Sequence, residues 1–271
     1  MSIHFNFVLA GLSLAIVAFA PAPSRAVDVR VTVENLAPQN SISLAPFRFG
    51  FGNSTFDAFN NNEAAFLLGF PTIADAPIVT IAEGGSGSNW FPAFTAAEPN
   101  ADLGSVLGPG GPFLPGQSNS AIISVDPANR FFTFGTMVVP SNDHFLGNAN
   151  PQMFEVFDAG GNLILNQFTE NASRIWDAGS ETENPANAAF LVVGTNANRE
   201  NENGVVTFNF TDLSAFNGLQ TAPGYIFDST LLAADTPVLR VSFAIVPEPA
   251  TFAFGGLALV GALGLIRHRR Q

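Results

Sequence analysis

Short β-favouring runs recur through the middle of this chain, each ended within a few residues by Pro, Gly, Asn or Asp, and that punctuation restricts the fold more than any other feature. The clearest run is Val27 to Leu36, with apolar residues at every second position from 27 to 33, the pattern of a strand with one face buried. Ile42 to Phe51 is a second run, interrupted by Pro46, and Ile78 to Ala82 reads as a brief strand. Glu63 to Gly69 and Trp90 to Ala97 read as one or two helical turns each. From Ser120 onward the chain is strongly β: Ala121 to Val125, Arg130 to Val139, Met153 to Phe157, a hairpin turn at Asp158 to Gly161, then Asn162 to Phe168. Ala188 to Val193, Val205 to Phe210 and Val238 to Val246 complete the set. No internal repeat is present, so the expected fold is one all-β, antiparallel β-sandwich over residues 27–245.

Composition narrows the functional classes. Hydrophobic content of 47% with 28 Phe supplies ample core for one large domain of a 271-residue chain. There is no Lys; 10 Arg against 22 acidic residues leave a formal charge of −12, which argues against nucleic acid, because phosphate binding needs clustered cations. Zero Cys excludes disulfides, thiolate nucleophiles and thiolate metal sites, so export has to be read from the chain ends.

Residues Ile3 to Ala20 are nearly all apolar or small, and Ser24-Arg25-Ala26 places small residues where a signal peptidase reads, so cleavage after Ala26 is expected. The n-region has His4 but no Lys or Arg, which leaves a retained anchor as the alternative. At the other end, Pro247-Glu248-Pro249 precedes an apolar, Gly-rich segment and the cluster Arg267-His268-Arg269-Arg270. Some 17 residues from Ala250 make a helix about 26 Å long, just short of a ~30 Å hydrocarbon core, with the basic cluster held in the cytoplasm.

Two loops carry the chemistry. Met137-Val138-Val139-Pro140 is an apolar run stopped by a residue without an N–H, followed by Ser141, Asn142 and Asp143, with Phe145 and Leu146 pinning the loop to a core. Ile175-Trp176 runs likewise into Asp177-Ala178-Gly179-Ser180-Glu181. If the two loops meet at one end of a sheet, Asp143, Asp177 and Glu181 supply three carboxylates. A hard cation such as calcium takes six to eight oxygens, two or three of them from carboxylates. Other loops are excluded as sites. Glu83 to Asn89 lacks the Lys of a phosphate loop and the spaced Gly of a nucleophile elbow, and Asn196 to Gly204 lacks the Gly position and closing Glu of an EF-hand. His144 is the single His between the two end segments; its neighbour Asp143 is expected to point away from it, which leaves no orienting acid for a Ser–His pair.

Phe56-Asp57 with the Asn-rich loop after it, Ala82-Glu83-Gly84, Gly111 to Gly116, Met137 to Gly147 and Trp176 to Glu181 together resemble, in order, the bacterial form of the spondin N-terminal domain. The resemblance covers most of residues 28–210 and implies a C2-like extracellular β-sandwich that binds one calcium ion through loops at one end. Ser180 stands where the family usually has Thr, and the likeness fades beyond Phe210. The tail, residues 246–271, closely resembles the PEP-CTERM sorting signal of Gram-negative bacteria that make exopolysaccharide. That resemblance implies recognition of Pro247, Glu248 and Pro249 by an exosortase and removal of the transmembrane segment.

The combined expectation is an exported, calcium-stabilised adhesion or matrix-binding module of a polysaccharide-rich surface, with extracellular polysaccharide or a surface protein as partner and no catalytic role. A carbohydrate-active enzyme and a permanently anchored envelope protein are the alternatives.

Overall fold

The computed structural model describes residues 26–65 and 76–247. The expected signal peptide, the transmembrane segment, Glu248 and Pro249 lie outside the described residues; Ala26 and Pro247 are described, and both are exposed. Among the described residues no helix is long and apolar enough to cross a membrane.

Two antiparallel sheets form the body. The first has the order β5 (Ser118–Val125), β1 (Val27–Asn35), β11 (Pro237–Ile245), β8 (Gln167–Asn171). The second runs β10 (Thr207–Phe208), β9 (Trp176–Asp177), β7 (His144–Gly147), β6 (Phe131–Val139), β3 (Phe47–Gly52), β4 (Asp102–Val106), with the short β2 (Ser43–Leu44) also on β6. The period-2 pattern of β1 sends Val29, Val31 and Val33 into the core, while Glu34 on the other face pairs with Arg240 across the ladder at 3.0 Å. Opposite them, Phe47, Phe49 and Phe51 of β3 and Phe132 and Phe134 of β6 turn inward, and Phe132 meets Phe243 edge-on with ring centroids 4.9 Å apart.

The second sheet is buried on both faces because two short helices, α1 (Pro77–Ala82) and α2 (Trp90–Ala97), cover its outer side. The alternation Phe49-Gly50-Phe51-Gly52 follows from that: phenylalanine fills the core side and glycine leaves room beneath α2, where a Cβ on Gly50 would lie 2.6 Å from the Phe94 ring. The expected helical turn at Trp90–Ala97 is present. Ile78 to Ala82, expected as a strand, is helical: Pro77 starts the helix, and burial of Ile78, Val79 and Ile81 explains an apolar run with no alternation to read. Ala188 to Val193, also expected as a strand, forms only the isolated bridges Ser141↔Ala189 and Leu191↔Thr221; Phe190 has φ +71°, which breaks extension, and Val192 and Val193 are exposed. Met153 to Phe157 and the start of the next run likewise make single bridges around the Asp158–Gly161 turn, and regular pairing begins only at Gln167. The last run, β11, lies beyond the reach of the spondin resemblance yet is central, hydrogen-bonded to β1 along its length and to β8 on its other side.

Asn35 defines one pole of the sandwich. Its buried amide donates to the carbonyls of Ile42 and Phe113 at 3.0 and 2.9 Å and accepts Ala37 N–H at 2.9 Å, so every polar atom is paired where β1 ends. Ser43 pairs with Val139 there, which puts the end of β6 and the loop that follows it at this pole. Val29 pairs with Ile245, and Val246 N–H reaches the Asp28 carbonyl at 2.7 Å, so both ends of the described domain lie side by side at the other pole.

Candidate metal centre

After Val139 the chain bends at Pro140, Asn142 and Asp143 before β7 folds back on β6 in the register Met137↔Phe145. Ser141 locks the bend, its Oγ donating to the Val138 carbonyl and accepting His144 N–H at 3.2 Å. Phe145 is fully buried beside Phe59 and Trp176, which anchors the loop as its apolar residues imply.

The second loop meets the first through a two-residue ladder, His144↔Asp177 and Phe145↔Trp176, fixed by the Trp176 indole N–H on the Gly147 carbonyl at 2.8 Å. Gly179 turns the chain with φ +61°; a Cβ there would fall 2.6 Å from Val205 N, so only glycine fits. Beyond this turn the loops knit together. Asp143 Oδ2 accepts the N–H of Ser180 at 2.7 Å, the Ser180 hydroxyl at 3.0 Å and the N–H of Glu181 at 3.0 Å. Asn142 donates to Glu181 Oε1 at 3.0 Å and accepts Asn184 N–H at 3.0 Å.

The remaining atoms at this pole are the informative ones. Asp143 Oδ1, Glu181 Oε2, both oxygens of Glu183 and both ring nitrogens of His144 are sealed from solvent with no hydrogen-bond partner among the described residues. His144 Nδ1 and Glu183 Oε1 are 3.1 Å apart, close as an ion pair but not aligned as a hydrogen bond. One ligand atom from each of Asp143, His144 and Glu183 lies within 4.8 Å of the others. Burying ionised groups without partners costs several kcal/mol apiece, on the order of the stability of a whole domain when summed, so a cluster like this persists only with protons or a cation to balance it.

The proton affinities say the same. Burial, reinforced by the Asp177 charge, pushes the Asp143 carboxyl up to about 6 against the opposing pull of His144 and the Ser180 and Glu181 N–H groups. Burial likewise raises Glu181 to about 7, with Asp143 and Glu183 adding to the rise and the Asn142 amide opposing it. Burial alone would lower His144, but Glu183 opposite it, with Asp143 and Asp177, holds it at about 9. The pole therefore favours a protonated imidazole on His144 and raises the proton affinity of the Asp143 and Glu181 carboxyls.

Of the three residues read from sequence, Asp143 and Glu181 are brought together in the loop junction. Asp177 and Glu181 both stand outside the close group of Asp143, His144 and Glu183: the oxygens of Asp177 are engaged by Gly179 N–H at 2.7 Å and the Asn209 amide at 3.3 Å, and Glu181 is held at its edge by Asn142 with one oxygen left without a hydrogen-bond partner among the described residues. Glu183 and His144 were not among the ligand candidates. The expectation that Asp143 and His144 point apart holds for extended chain, and Asp143 sits in a bend. Glu183 carried a usable signal: it follows Glu181 by two residues, the spacing that keeps side chains on one side of an extended chain.

An open recess of about 420 Å³ is lined mainly by apolar groups of Pro112, Leu114, Phe190 and Pro223 and by none of the residues of this centre. The chain links the two, since Ala189 N–H bonds the Ser141 carbonyl at 3.0 Å. No protein-family model matches the chain, and no curated protein matches it.

Proposed function

We propose that this protein is an exported β-sandwich binding module whose loop pole is locked by a divalent cation, calcium on the chemistry of its donors, and which works as an adhesive or matrix component of a polysaccharide-rich cell surface. The observation that carries this reading is the set of sealed, unpartnered carboxylate oxygens on Asp143, Glu181 and Glu183 where two chain segments meet. Carboxylates in that number suit a hard cation at about 2.3–2.6 Å, with backbone carbonyls for the remainder and Asp177 close enough to add its charge. Because those oxygens are closed to solvent, the cation's role is structural: it ties the loop after β6 to the loop after β9 and so shapes the pole's outer surface.

The arrangement of the ends supports presentation of that surface. A nine-residue strand such as β1 is roughly 30 Å long at about 3.3 Å per residue. A tail leaving after Val246 would hold the domain by one pole with the cation pole outward. A role for His144 as general base is disfavoured by its full burial, which puts it out of reach of a substrate proton.

The test is retention of the purified exported protein on extracellular polysaccharide from a producing bacterium, in calcium and in chelator. Binding in calcium that falls in chelator is expected; no binding in either buffer, or a hydrolytic activity removed by His144→Ala, contradicts the reading.

A further inference from the structure

The side chain of Glu183 is one-fifth exposed, yet both carboxylate oxygens are buried and neither has a hydrogen-bond partner among the described residues. A glutamate at a surface loop is best solvated with its stem covered and its oxygens in water. Here the polarity is reversed, with the stem outward and the carboxylate turned in. Inside, it meets the His144 ring, fully buried, with Nδ1 3.1 Å from Oε1. It also approaches a like charge, since a carboxylate oxygen of Asp143 lies with these two inside a 4.8 Å group, an arrangement that a cation between the two acids would balance. His144 itself is fixed by backbone: its N–H is on Ser141 Oγ, and its strand is paired to both Met137–Gly135 and Trp176–Asp177. The ring is thus a rigid wall and the Glu183 chain the adjustable part.

We infer that Glu183 is a ligand of the cation at this pole and that His144 is the residue that positions its carboxylate. The inference rests on the cation reading above and extends it to the composition of the shell. Asp143 and Glu183 face one point from two segments, and Glu181, held by Asn142 and within electrostatic reach of both, adds its charge beside them. The imidazole directs Glu183 toward the ion, and the closed surface leaves little room for water. A ligated carboxylate held by a neighbouring ring is the usual division of labour between groups that touch a metal and groups that orient them.

The experiment uses the exported protein, its Glu183→Gln, Glu183→Ala, His144→Ala and His144→Gln variants, calorimetric calcium titration, and terbium luminescence lifetimes in light and heavy water to count coordinated waters. Glu183→Ala is expected to weaken calcium by about tenfold or more and to admit one or two further waters, roughly one for each lost oxygen, with Glu183→Gln intermediate. His144→Ala is expected to weaken calcium by about tenfold through misplacement of Glu183, and His144→Gln, which keeps a donor, to recover most of that loss. Melting midpoints in chelator identify any variant that fails to fold, and the isosteric Glu183→Gln then decides. Wild-type affinity and water count in both Glu183 variants would overturn the inference while leaving a cation site on Asp143 and Glu181. Manganese or zinc bound more tightly than calcium and lost in His144→Gln would overturn the positioning role, because the imidazole would then be a ligand. A wild type that takes up neither calcium nor terbium removes the underlying cation reading as well.

Discussion

Asp143 accepts the backbone N–H of Ser180 at 2.7 Å, and this one bond joins the loop that ends β6 to the loop that follows β9. The same oxygen takes the Glu181 N–H and the Ser180 hydroxyl, while its twin has no partner among the described residues. One carboxylate therefore does two separable things: it satisfies backbone donors on one side and offers a charge to a cation on the other.

Substitution should separate them. Asp143→Ala leaves two buried N–H groups unpaired, at about 1–3 kcal/mol each, and is expected to lower the melting midpoint in calcium and in chelator alike. Asp143→Asn keeps an acceptor for the N–H groups and removes the charge, so its midpoint in chelator should equal or slightly exceed that of wild type while calcium no longer raises it. Equal losses in both variants, in both buffers, would mean that only the backbone role exists.

A second prediction lies away from the pole. Glu170 on β8 is buried, and burial raises its carboxyl above the ordinary value in spite of Arg174 at 3.6 Å. A raised folded-state value means that the folded chain holds the proton after the unfolded chain has lost it. Ionisation of Glu170 therefore subtracts stability as pH climbs from about 4.3, the unfolded value, through the folded one. Glu170→Gln is expected to be more stable than wild type at pH 7 and no different near pH 4, by urea midpoints. A variant less stable at pH 7 would show that the Arg174 pair outweighs desolvation.

How much of this was legible beforehand depends on what each residue answers to. β1 was readable because one face is core and the other solvent, so burial writes itself as alternation from Val27 to Val33. The α1 segment was misread because it is buried all round, and an apolar run without a polar face carries no period. Val192 and Val193 misled in the opposite sense, being strand-forming residues that are exposed beside a left-handed Phe190. At the pole, the meeting of Asp143 and Glu181 was legible because each follows an apolar anchor in its own loop. Glu183 and His144 were missed because their meeting depends on a bend at Asp143 and on pairing between β7 and β9, neither of which is local in sequence.

The tail makes a third prediction. Val246 N–H on the Asp28 carbonyl is the last bond of the β11 edge among the described residues, and Pro247 beyond it is exposed. Cleavage after this point leaves every described bond of β11 in place. Intact mass of envelope and medium fractions is expected to show a protein that begins at Val27 and ends at or shortly after Val246, with Glu248→Ala accumulating as membrane-held precursor. Recovery solely of a form that still carries Arg267 to Gln271 would favour the permanent anchor.

The most direct measurement of the central claim is a thermal melt of the exported protein in calcium and in chelator, with calorimetric titration of calcium alongside. Three carboxylates sealed together repel one another until a cation arrives, and a ligand that binds only the folded state adds RT ln(1 + [L]/Kd). For an extracellular-type Kd near ~10⁻⁴ M and ~1 mM calcium this is about 1.4 kcal/mol, a rise of a few degrees for a domain of this size. A midpoint raised by that amount, with the rise absent in Asp143→Asn and Glu181→Gln, is the expected result. Identical midpoints in the two buffers, with no heat of binding, would show that the buried carboxylates of this pole are held by protons and His144 alone.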